Sequence, residues 1–237
     1  MYTIGVENVI LRVVEMKFFV FSFLIALITL SPVESAVIKG KITVSAEKIV
    51  PLKSSYSRGV FEPKLKNSND SPKENKTSGY LKVVVWAEPV GKKYPFIQPE
   101  EMPLLKQQNK TFIPDLLVVQ EGTIVGFPNL DPLYHNVFSY SQNKRFDLGR
   151  YKQGKSKDVL FDKEGVVEVF CEIHENMHAY IIVVNTPFFT TVDKSGEFLI
   201  EVPSGIYNVK AWSPSVESGM TKVDLTDTEE IIVNFSF

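Results

Sequence analysis

The chain has 237 residues, of which 44% are hydrophobic and 12% aromatic, enough for one large domain or two small ones. Its 26 Lys and Arg side chains nearly balance 28 Asp and Glu. With no arginine-rich stripe or long basic run, that balance excludes a nucleic-acid surface and a partner chosen by bulk charge.

Residues 1–35 read as an export signal. "FFVFSFLIALITL" is an uncharged apolar run of 13 residues (18–30), preceded by Lys17. It is shorter than the ~20 apolar residues a membrane span needs. "SPVESA" follows and offers small residues for cleavage after Ser35 or Ala36. Met16-Lys17 is the more natural start, so initiation is expected at Met16 rather than Met1. The mature chain is then expected in the periplasm or outside the cell, with no integral membrane segment.

The mature chain reads as all-β. "VIKGKITVSA" (37–46) and "LKVVVWAEP" (81–89) alternate or run β-branched. Between them, residues 53–79 are rich in Ser, Lys, Asn and Pro and predict a mobile loop. Residues 91–114 are Pro-spaced and irregular, and are expected to cross between sub-structures. "LLVVQEGTIVGF" (116–127), "VVEVFC" (166–171) and "AYIIVVNTP" (179–187) are the next strands. "GEFLIEVPSGIYNVKAW" (196–212) is two strands around a Pro-Ser-Gly turn, and "EEIIVNFSF" (229–237) closes the chain. No stretch keeps a helical apolar period for three turns.

"FCEIHENMHA" (170–179) contains the sole cysteine and two of the three histidines. An exported cysteine ordinarily has a disulfide partner, and Cys171 has none. It is either a buried inert thiol or one protected by a metal. Cys171, His174 and Met177 are evenly spaced, and the remaining histidine is His135, after the Pro-Asn-Leu-Asp-Pro turn of 128–132. Taken singly, His135 reads as a surface-loop histidine and Met177 as core filler. Taken together, two imidazoles, a thiolate and a thioether do not suit zinc, which favours four strong ligands. A trigonal set of two His and one Cys with a weak axial Met is the blue-copper arrangement. His178 follows Met177 directly, so alternation points it away from the others and it is read as a non-ligand.

Residues 112–185 resemble the cupredoxins, through "GTIVGFPNLD", "HNVFS" and "GVVEVFCEIHENM". The short Cys-x-x-His-x-x-Met loop is most similar to that of the amicyanins. This resemblance implies a Greek-key β-sandwich and one type 1 copper on His135, Cys171, His174 and Met177. It also implies that Asn136 ties the ligand loops by a hydrogen bond, with Phe170 and Phe127 packed beneath the metal. Electrons would leave through the edge of His174, with Leu130, Pro132 and Leu133 as an apolar docking patch for a transient redox protein. The expected function is single-electron transfer. A copper carrier, sensor or accessory subunit using the same ligands is the alternative. A further catalytic copper needs more histidines than the three present, so no enzyme is expected.

The last fifty residues resemble the carboxypeptidase-regulatory, or transthyretin-like, sandwich. The match is Thr-x-x-Asp-x-x-Gly-x-Phe (190–198) followed by Val-Pro-x-Gly-x-Tyr-x-Val (202–209). This resemblance implies that residues 36–97 open a sandwich that 187–237 complete, with 98–186 inserted between them. A tandem arrangement with a separate N-terminal piece is the alternative.

Overall fold

Alternation of side chains along each strand sorts them between successive apolar layers, and the sheets follow from that sorting. The computed structural model describes residues 35–44, 82–214 and 216–237. The export segment, except its last residue Ser35, and the loop expected at 53–79 lie outside these residues. Among the described residues the fold is all-β, and no helix is long and apolar enough to cross a membrane.

The strands in chain order are β1 (Ser35–Thr43), β2 (Val84–Pro89), β3 (Lys106–Gln108), β4 (Thr111–Ile113), β5 (Leu116–Gln120) and β6 (Thr123–Gly126). Then come β7 (His135–Ser141), β8 (Lys144–Tyr151), β9 (Asp158–Phe161), β10 (Gly165–Cys171), β11 (His178–Val184) and β12 (Phe189–Thr191). The last are β13 (Glu197–Pro203), β14 (Ile206–Ser213), β15 (Val216–Asp224), β16 (Glu230–Ile232) and β17 (Phe235–Ser236).

One apolar core lies between two four-stranded sheets. The first has the order β13-β1-β16 with β17 also on β1, and the second β12-β2-β14-β15. Ile38, Val85, Ile200, Tyr207 and Val209 fill the space between them. Strand β1 thus pairs antiparallel with β13, far along the chain, with Ile38 opposite Ile200. Its other edge takes β16 and β17 in parallel. Between those two strands the chain crosses over Gly40, where an added Cβ would lie 1.7 Å from the Val233 carbonyl oxygen.

A second core lies under the five-stranded sheet β5-β11-β10-β7-β8. The pairs β3-β4 and β6-β9 cover it from the opposite side, and Phe127, Phe161, Val169 and Ile181 fill it. A third cluster joins the outer face of this sheet to the outer face of β2 and β14. The sequence "YIIVV" explains the join. Ile181 and Val183 enter the second core, whereas Tyr180, Ile182 and Val184 enter the third cluster. A strand buried on both faces has no polar face to show, so its apolar residues run on without alternation. Strand β8 is the opposite case. "KRFDLGRY" lies at a sheet edge, half-buries Phe146 and Leu148 and fully buries only Tyr151, with charged residues between them, which is why the sequence reading passed over it.

Candidate metal centre

His135 opens β7 and Cys171 ends β10, and these neighbouring strands run antiparallel. The start of one therefore lies beside the end of the other. Past Cys171 the chain turns back on itself: the Met177 amide donates to the His174 carbonyl (3.0 Å), and the Cys171 amide donates to the Met177 carbonyl (3.2 Å). This closed turn returns His174 to the cysteine.

Cys171 Sγ lies 3.7 Å from His135 Nδ1 and 3.7 Å from His174 Nδ1. The two imidazole centroids are 4.8 Å apart, at 57°. Metal–imidazole and metal–thiolate bonds are about 2.0–2.3 Å long, so one ion can reach all three atoms. Met177 is 1% exposed and sits in the same core cluster as Cys171. His135 is wholly buried and His174 half-buried, so the group opens to solvent on the His174 side.

Asp131, which the sequence reading missed, orients His135. Its Oδ2 lies 2.9 Å from His135 Nε2. Burial opposes ionisation of this carboxyl. The Lys110 amide, the His135 ring and the Asn109 amide outweigh it and hold Asp131 below the usual carboxylate range. An ionised carboxylate only accepts hydrogen bonds, so His135 Nε2 carries the proton and donates it. That leaves the Nδ1 lone pair aimed at Cys171, which is the tautomer a metal ligand requires. His174 also stays below its ordinary value. Burial is the main cause, helped by the charges of His135 and Lys110 and opposed by Asp131.

The same carboxylate fixes a hairpin. Asn109 and Lys110 form the two-residue turn between β3 and β4 with φ of 56° and 57°, the mirror-image turn that suits twisted strands. Their amides donate to Asp131 Oδ1 (2.6 Å) and Oδ2 (2.8 Å). Asn129 staples the loop between, donating to the Leu133 carbonyl (2.7 Å) and accepting from the Asp131 amide (3.0 Å). The Pro-Asn-Leu-Asp-Pro turn was the available signal, because Asn and Asp side chains bind nearby backbone in such turns. Asp131→Asn is expected to lower metal affinity about 10–100-fold, the usual effect of losing a carboxylate behind a ligating imidazole. Isothermal titration with copper would measure it.

Of the supporting residues, Asn136 is buried and Phe170 is placed differently from expectation. The Asn136 amide oxygen is buried without a hydrogen-bond partner among the described residues. Phe170 does not lie beneath the ligands. Alternation that turns Val167, Val169 and Cys171 into the second core turns Phe170 the other way, where it stacks on His178 (4.6 Å, 2°). His178 therefore faces away from Cys171 as well. Phe127 does lie in the core with Cys171. Leu130, Pro132 and Leu133 are exposed on the loop leading to His135.

No family model and no curated protein matches the chain. Solved structures are similar to part of it. A Cu-containing nitrite reductase from Thermus scotoductus SA-01 aligns at 22% identity and TM-score 0.35, over 41% of this chain and 25% of its own. A purple cupredoxin from Nitrosopumilus maritimus aligns at 25% identity and TM-score 0.30, over 32% of this chain and 84% of its own. An amicyanin variant in the Cu(I) state aligns at 16% identity and TM-score 0.34, over 42% and 98%. The chain spans a quarter of the nitrite reductase. That reductase is an enzyme, and it overturns the exclusion of enzymatic function. The physical reason is that a histidine count constrains only the ligands of one chain, not those a second chain supplies.

Proposed function

We propose that His135, Cys171, His174 and Met177 hold one type 1 copper and that the chain passes single electrons between redox partners. The observation that carries this reading is the convergence of His135 Nδ1, Cys171 Sγ and His174 Nδ1, with the far nitrogen of His135 committed to Asp131. The donor set fits copper better than zinc: thiolate and thioether are soft ligands, and imidazole serves both copper oxidation states. When bound, the copper would supply a reversible one-electron couple.

The chain's own residues would keep the change in charge from rearranging the site. His135 is held by its strand and by Asp131, and Cys171 by its strand and the closed turn. Met177, buried in the same core cluster as Cys171, would supply the thioether. His174 is the half-buried ligand, so its ring is the path by which electrons would reach a partner. The exposed Leu130, Pro132 and Leu133 would form the apolar contact of a small, short-lived encounter.

We further propose export to the periplasm or beyond, supported by the apolar segment at 18–30. The proposed division of the chain is 36–97 with 187–237, and 98–186 between them. The pairing of β1 with β13 and of β2 with β14 supports it. The first core, built from 36–97 with 187–237, is also what favours a copper carrier as the second reading, since an electron shuttle does not require it.

One equivalent of Cu(II) added to the mature protein is expected to produce an intense visible thiolate-to-copper band and a narrow hyperfine splitting in the electron-paramagnetic-resonance spectrum. A colourless, tetragonal Cu(II) spectrum would sink the type 1 assignment. Ready loss of the metal to a chelator, with preference for Cu(I), would select the carrier.

A further inference from the structure

The loop that bears Leu130 and Leu133 is flanked on two sides by lysines. On one side, the Gly154 amide donates to the Asn129 carbonyl (2.8 Å), and the Asn129 amide to the Lys155 carbonyl (2.9 Å). Gln153 Nε2 donates to the Leu130 carbonyl (3.0 Å). These bonds lay the segment 152–155 alongside residues 129–130. On the other side, the Leu130 amide donates to the Gln107 carbonyl (2.9 Å), and the Lys110 amide donates to Asp131. Lys110, Lys152 and Lys155 are all exposed, and none is in an ion pair among the described residues. Lys110 is also close enough to His174 for its charge to be felt there.

The nearby carboxylates do not cancel this charge. Asp131 is buried and engaged with His135, and Glu172 faces Arg150 at 3.3 Å. Glu175 is the exposed carboxylate left on the ligand loop. The chain as a whole carries a net charge of −2, so the lysine cluster is a local feature and not a reflection of composition. At its centre Leu130, Leu133 and Tyr134 are 42%, 41% and 59% exposed.

We propose that this face docks a redox protein whose own redox group is ringed by carboxylates. Lys110, Lys152 and Lys155 meet the carboxylates while Leu130, Leu133 and Tyr134 form a dry centre over His174. Charges around the rim of such a contact chiefly raise the association rate and select the partner, and salt weakens both effects. The apolar centre distinguishes a protein partner from a small anion, which would need polar donors in place of leucines.

This inference rests on the copper reading above, and the test separates the two. The copper-loaded full-length protein in its Cu(II) form is reduced by one electron from an acidic ferredoxin, which is oxidised in turn. In a second arm the Cu(I) form gives one electron to hexacyanoferrate(III), which becomes hexacyanoferrate(II). Lys152→Glu with Lys155→Glu is expected to slow both reactions about tenfold at low salt, the lower end of electrostatic steering, and to flatten their salt dependence. Leu133→Asp is expected to slow the ferredoxin far more than hexacyanoferrate. Unchanged ferredoxin rates in the double variant, with the visible band intact, overturn the docking proposal. A slowing confined to hexacyanoferrate overturns it too, in favour of a small-anion surface. Absence of the band in the unaltered protein instead overturns the copper reading itself.

Discussion

Cys171→Ser is expected to abolish the intense visible band and to weaken copper binding beyond the ~10–100-fold that loss of a supporting residue brings. The reason is chemical, not steric. A serine hydroxyl stays protonated near neutral pH, so it supplies neither the soft anionic donor nor the orbital overlap behind the colour. The fold should survive, because Cys171 is only 3% exposed and serine is close to it in size. Burying a hydroxyl in place of the thiol costs about 1–3 kcal/mol if it finds no partner. His135 Nδ1 and His174 Nδ1, each 3.7 Å from the sulfur, are the ring nitrogens on offer as acceptors. Circular dichroism and a copper titration on the same sample separate the two effects. Copper stoichiometry and colour identical to the unaltered protein would falsify the ligand assignment.

The second large effect is expected at Gly40, remote from the metal centre. Gly40→Ala places a Cβ 1.7 Å from the Val233 carbonyl oxygen and 2.9 Å from Phe198 Cζ. The first of these is backbone and cannot swing aside. The crossing from β16 to β17 is held on β1 by the Val233 amide donating to the Lys39 carbonyl (2.8 Å) and by the Lys41 amide donating to Asn234 Oδ1 (2.9 Å). To relieve the clash that crossing must lift, opening the core beneath Ile38 and Phe235. Overpacking of this kind costs about 1–3 kcal/mol or more. Thermal unfolding should therefore shift down by several degrees, with the copper band of the folded protein unchanged. A variant as stable as the parent would show that the C-terminal strands are not held against β1 as described.

The two experiments probe separate cores, joined by the cluster of Val84, Ile182 and Val184. Because β11 contributes to both faces of that join, a loss of packing there would be felt on either side. Gly40 lies on the far sheet of the first core, which is why its effect is expected to stay local to stability.

Local chemistry was legible in the sequence to the extent that it depends on near neighbours. A β-branched run such as "YIIVV" reads as a strand, and "GEFLIEVPSGIY" alternates up to a turn and away from it. Three-residue spacing from Cys171 to His174 permits a closed turn, and alternation from Cys171 already implied that Phe170 faces the other way. That implication was available and the resemblance to a family obscured it. The tertiary structure alone decided contacts between residues far apart in the chain. It set β1 against β13, brought the Asn109-Lys110 turn to Asp131, left the Asn136 amide oxygen without a partner among the described residues, and gathered Lys110, Lys152 and Lys155 around one loop. Periodicity reports which face of an element is apolar, but not which other element covers it. Pairing, and the charge that pairing assembles on a surface, are settled only when all the strands have found their neighbours.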